Sequence, residues 1–296
     1  MPKLKAWIAA GSAVVAAGAV IASSGGAATV VAGGASSHAA YHRPSARFVS
    51  EARTALVKYL RHNHPTLMLA HTTRSHGSNA VTQAGSYNWS GYADTSTTAQ
   101  AFTKVSGAWT TPSVTCSAED QISSHWVGLD GATTGTVEQD GTISWCFEGT
   151  PTYFTWYEMY PAGTVEVGTS LAPGDKITAS VTRASTKYTL KLTDATNTAN
   201  SFSKSATCAL ATCLDESAEW IAERSSFAIG IAPLANYGTW KLTSGAETAG
   251  GTVGTIGSYS TVEEFTMVDA TDSYNLSTPS TLTGGKAFST KWDNSY

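Results

Sequence analysis

From Tyr87 to the C-terminus the chain is cut into short runs in which apolar and polar residues alternate, separated by turn residues. No stretch there keeps the period of an ordinary helix. Strand-like runs fall at Phe102–Thr110, Ser124–Asp130, Tyr153–Tyr160, Lys176–Thr182, Lys187–Thr193, Ala218–Glu223, Gly238–Thr243 and Thr261–Val268, and Asn88 to Tyr92 opens the series. Pro173 to Asp175 and Asp194 to Asn200 read as turns between them. A strand that alternates can bury only one face, so the pattern predicts two packed sheets. Residues 87–296 are therefore expected to form one all-β domain, an antiparallel, lectin-like β-sandwich with no internal repeat and no second boundary. Charged residues are only 14% of the chain, a balance that favours strands and turns over exposed helices.

The first 86 residues differ in character. Lys3 and Lys5 precede an apolar run, Ala6 to Ala22, and a Gly/Ser-rich stretch follows. Residues 1–40 thus read as a secretory signal peptide and linker; the Ala and Gly content makes an uncleaved membrane anchor the poorer reading. Between Pro44 and Arg61, Phe48, Ala52, Ala55, Leu56, Tyr59 and Leu60 fall on one helical stripe, with Ser45 placed to cap it and Pro65 beyond its end. The polar stretch His71 to Ser86 has no period and is expected to lack buried structure. Residues 41–86 are accordingly read as a removable prosegment. The net charge of −4 divides into +7 before residue 81 and −11 after it. That asymmetry predicts that the prosegment is the protein's own partner, lying against the sandwich near neutral pH and released in acid as carboxylates protonate and histidines charge.

An acidic sandwich is a poor nucleic-acid binder. No membrane contact is expected once the signal is removed, and the expectation is a secreted, extracellular monomer. Export would place the four cysteines where disulfides form. Three connectivities are formally open. Cys208 and Cys213 are close enough to close a small loop, which leaves Cys116 for Cys146.

The chemistry centres on Ser123 to Gln139. Alternation puts Trp126, Gly128 and Asp130 on one face and His125, Val127 and Leu129 on the other. The turn Gly131 to Gly135 then brings Gln139 back beside the first face. Six of the seven histidines lie before residue 87, and His125 points away from Trp126, so a Ser-His-Asp triad has no base. Zinc-ligand spacings and phosphate-cradling loops are absent as well. What remains are carboxylates, amides and aromatics: Glu158 in a row with Phe154, Trp156 and Tyr160, and Glu219 with Glu223 on one face of a later strand.

These residues carry a resemblance. Trp126 to Gly131 (WVGLDG) followed by Gln139 resembles the first half of the signature of the glutamic peptidase (eqolisin) family. Val105 to Pro112 (VSGAWTTP), Trp156 to Pro161 (WYEMYP) and Ser217 to Glu223 (SAEWIAE) match further parts in order. The resemblance implies an endopeptidase that acts in acid on polypeptide substrates without a metal or other cofactor. It implies Glu219 as general base and Gln139 as its partner. Trp89, Trp126, Asp130 and Glu158 would lie in the groove, the acids orienting the pair and the tryptophans shaping the subsites. One departure is Asp140-Gly141, where the family usually follows its catalytic Gln with Thr-Gly; an added carboxylate beside the site would shift its working pH. Two other readings use the same residues: a carbohydrate-binding sandwich without catalysis, and a glycosidase using Glu158 and Glu219. Gln139 separates them, because only the peptidase needs an amide there.

Overall fold

The computed structural model describes residues 41–296 apart from 63–69, 77–80, 118–119, 228–229, 260 and 272; the expected signal peptide, linker and Pro65 lie outside the described residues. One α-helix, α1 (Ala46–His62), comes first. The strands β1 (Ala70–His76), β2 (Val81–Ser86), β3 (Trp89–Thr95), β4 (Phe102–Thr110), β5 (Ile122–Leu129) and β6 (Val137–Phe147) follow. Next are β7 (Thr150–Tyr160), β8 (Val165–Gly168), β9 (Lys176–Ala184), β10 (Lys187–Asp194), β11 (Phe202–Thr207) and β12 (Ser217–Glu223). The last are a two-residue pair, β13 (Ser226–Phe227) and β14 (Gly230–Ile231), then β15 (Thr239–Ala249), β16 (Thr252–Gly254), β17 (Val262–Val268), β18 (Asn275–Pro279) and β19 (Phe288–Trp292).

Pairing defines two layers. One runs β8-β7-β6-β5-β12-β3-β17, the other β19-β15-β4-β9-β10-β11. β18 pairs with both β17 and β19, so the ladder is continuous and nearly closed. β4, β9 and β10 pack against β5 and β6, which makes the architecture the expected β-sandwich.

Alternation along β5 and β12 sorts residues between two cores. Val127, Leu129, Trp220 and Ala222 point between the layers, toward Val105, Val181, Leu190 and Trp240. Trp126 and Ile221 point outward, where they gather with Trp89, Ile143, Phe154 and Trp156. That outer face is covered by α1. Ala52 and Leu56 are fully buried against it, with Val49 and Ala55 packed partly beside them. Phe48 meets Phe147 at a centroid distance of 5.4 Å, and the Phe48 N–H donates to Ser45 Oγ at 3.2 Å, the expected cap. Burying Leu56 alone contributes about 1.5–3 kcal/mol.

The stretch His71 to Ser86 differs from expectation, since it supplies β1 and β2. β2 lies parallel to β17 from Val81↔Val262 to Ser86↔Met267, and β1 pairs outside it. β2 is held by a strand at the far end of the sequence, so its structure does not depend on a local hydrophobic pattern. Both disulfides are as expected, Cys116–Cys146 and Cys208–Cys213, with Cα separations of 5.4 and 5.7 Å.

Candidate active site

Four strands place the site. The register sets Glu219 of β12 opposite Gly128 of β5, Gly128 opposite Gln139 of β6, and Gln139 opposite Glu158 of β7. Residues paired in this way point to the same side of a sheet, so these four form one row on the outer face. Adjacent strands are about 4.8 Å apart, which puts the Glu219 and Gln139 backbones roughly 9–10 Å apart with a glycine between them. Two long side chains can converge over that gap with a small molecule held between their ends. A Cβ on Gly128 would lie 2.9 Å from the Trp126 ring and 3.3 Å from Gln139 Cβ, so a side chain there would fill the space.

Gln139 is held from one side only. Its Nε2 donates to Glu158 Oε2 at 2.7 Å, while its Oε1 has no partner of normal geometry. Glu158 also accepts from Thr164 Oγ1 at 2.7 Å. Burial pushes the Glu158 carboxyl up to about 7, with these hydrogen bonds pulling the other way. Glu219 is fully buried, and burial holds its carboxyl well above the usual range. The Ser217 hydroxyl and the Ala132 amide oppose that shift, yet neither makes a well-formed bond to it, and both Glu219 oxygens are without partners. The aromatic wall is Trp89 against Trp126, edge to face with centroids 5.0 Å apart.

Asp130 is not a groove residue. It has φ +65°, which ends the alternation of β5 and turns its carboxylate inward. There it accepts the Asp215 and Glu216 N–H groups at 2.7 and 2.8 Å and the Thr136 hydroxyl at 3.1 Å. It thus braces the loop that leads into β12, and so supports Glu219 at a distance. Asp140 likewise does not add charge to the row, because it points to the face opposite Gln139 and is fully buried; burial raises its carboxyl well above the usual range. His125 faces the inner core, between Tyr237 and Trp240, as alternation required.

Other residues escaped the sequence reading. Thr164 precedes β8 and no motif marks it. Gly128 lay inside the quoted motif, but only the register shows that it separates Glu219 from Gln139. Asp130, Glu138 and Asp215 form a buried acidic cluster behind the site, with ligand atoms close enough to hold a cation. Arg183 already pairs with Asp215 at 2.8 Å and Tyr188 donates to it at 2.8 Å, so the cluster's charge is partly met by protein groups. Burial pushes Glu138 up to about 10, with the Asp130 and Asp215 carboxyls adding to the shift.

A sequence model of the peptidase A4 family matches residues 87–292. Aspergillopepsin-2 of Aspergillus niger is 28% identical over an alignment of 179 residues that covers 52% of this chain and 62% of that protein, so the match spans less than two thirds of that relative. Scytalido-glutamic peptidase, solved with a peptide-based transition state analog, has 23% identity and a TM-score of 0.58 over 70% of this chain and 98% of its own. Aspergilloglutamic peptidase from Aspergillus niger has 23% identity and a TM-score of 0.50 over 58% and 99% of the respective chains. At these identities the structural likeness speaks to the fold.

Proposed function

The chain belongs to the peptidase A4 family, the glutamic peptidases, and from that premise we propose that it is a secreted endopeptidase acting in acid, with Glu219 and Gln139 as the reacting pair. The observation that carries this reading is the row Glu219, Gly128, Gln139, Glu158, in which an unpartnered carboxyl faces a half-held amide across a strand without a side chain. In the forward step Glu219 as carboxylate takes a proton from water, and the water oxygen bonds to the scissile carbonyl carbon. The oxyanion that forms accepts a hydrogen bond from the second N–H of Gln139, while the amide's free Oε1 holds the water. Glu219 then gives its proton to the leaving amine as the C–N bond breaks. Glu158 and Thr164 keep the amide of Gln139 in one orientation.

The reading also assigns a task to α1. With α1 in place Glu219, Trp126 and Gln139 are buried, and a desolvated Glu219 stays protonated and cannot act as base. Departure of the prosegment, residues 41–86, would hydrate the row and bring the Glu219 carboxyl back toward its ordinary range. The prosegment is thus the covering partner, and polypeptides are the substrates. Two disulfides support passage through an oxidising compartment and hence secretion.

The test is digestion of a denatured protein at pH 3 to 4, with and without an inhibitor of aspartic proteases. Cleavage is expected in both, and Glu219→Gln and Gln139→Ala should each lower kcat by about a hundredfold or more with an unchanged melting temperature. Full activity in either variant refutes the assignment.

A further inference from the structure

Glu223 is a carboxyl group that this reaction does not use, and the side chains of the aromatic wall converge on it. It ends β12, on the same face as Glu219, and lies directly opposite Trp89 of β3. Trp126 Nε1 donates to its Oε2 at 2.8 Å, and the side chains of Trp89 and Asn88 lie beside the same carboxyl, where they favour its charged form. Backbone closes the corner, because the Arg224 N–H donates to the Asn88 carbonyl at 2.8 Å. The two indoles cross at 77° with centroids 5.0 Å apart, so the Trp89 ring lies against a ring that is tied to this anchor.

We propose that Glu223 is a positioning residue for substrate binding: by holding the indole N–H of Trp126 it fixes that ring, and through it the Trp89 ring packed against it, as the wall of the groove beside Gln139 and Glu158. The inference rests on the peptidase reading. An indole ring shapes a subsite only if its plane is set, and packing alone leaves the ring free to choose among rotamers. An acceptor on the Trp126 N–H removes that freedom for its ring, and the Trp89 ring is packed edge to face against it.

The protonation state supports this role and selects the control. The groups facing Glu223 are Trp126, Trp89, Asn88 and the nearby Glu158 carboxyl. Burial, together with Glu158, pushes the Glu223 carboxyl up to about 8, so in acid it is neutral and offers a carbonyl acceptor. Glutamine reproduces that acceptor in the same shape, whereas leucine does not.

The experiment measures kcat and KM on one peptide substrate, using the acid-activated full chain. Glu223→Leu should raise KM about tenfold or more with kcat changed less than about threefold, and Glu223→Gln should keep KM near wild type. Trp126→Phe keeps an aromatic ring but removes the N–H; it should raise KM and add little when combined with Glu223→Leu. An unchanged KM in Glu223→Leu, equal damage from Leu and Gln, or full additivity overturns the proposal. If Glu223→Leu does not fold, Trp126→Phe decides, and a wild-type KM in it overturns the proposal. If the wild-type chain cleaves no peptide, the peptidase reading fails separately. Near-ultraviolet circular dichroism of Glu219→Gln, with and without Glu223→Leu, then still tests the anchoring: altered tryptophan bands support it and identical bands overturn it.

Discussion

Truncating Leu56 to alanine tests whether α1 is a cover that has to leave. Leu56 is fully buried in the outer aromatic cluster, with Trp89 and Trp126, and takes no part in the core between the layers. Leu→Ala at a buried site costs about 2–5 kcal/mol. The lower end applies here, because a helix lying on a sheet can settle into the gap more easily than a residue inside a sandwich. A loss of about 2 kcal/mol in docking raises the population with α1 off the site by about thirtyfold. In a Glu219→Gln background, which prevents self-cleavage, Leu56→Ala should speed hydrogen exchange along α1 by about that factor while the β5 and β12 amides keep their protection. In the active protein, the lag before peptide cleavage after a shift from pH 7 to pH 4 should shorten. If α1 exchange and the lag both stay at wild-type values, the helix is not a detachable cover. If the β5 and β12 amides lose protection together with α1, the helix is an integral part of the fold and the reasoning is wrong.

Two further predictions concern pH and carry opposite signs. Asp94 and Glu247 are buried close enough to influence each other's protonation, and burial pushes both carboxyls up. Raised carboxyls stabilise fully below their unfolded values near pH 4 and lose that contribution as pH rises through the folded values. Melting temperature should therefore fall from pH 4 upward, and Glu247→Gln should flatten the slope; an unchanged slope rules the pair out as its source. His125 is the reverse case: burial pulls it down to about 3, so its contribution is complete above its unfolded value near 6.5 and is lost as pH falls through the folded one. His125→Phe, filling the slot between Tyr237 and Trp240, should melt higher than wild type at pH 3, and an identical loss on acidification in both proteins would count against it.

What the chain determined by itself was whatever depends on neighbouring residues. The period-two pattern and the turn residues place most strands, including β4 (Phe102–Thr110) to the residue, and the stripe on α1 together with the Ser45 cap locates the helix. Alternation also sends His125 and Trp126 to opposite faces, and groups Glu158 with Phe154 and Trp156. Tertiary structure decided what depends on register between distant strands. No local signal sets Glu219 in line with Gln139, because that alignment passes through Gly128 and two separate ladders. The same holds for β2, whose polar residues acquire their place in the sheet by pairing with the distant β17. Asp130 was misread for a complementary reason. Alternation holds only while the backbone stays extended, and one residue in the left-handed region is enough to turn a groove acid into a buried brace.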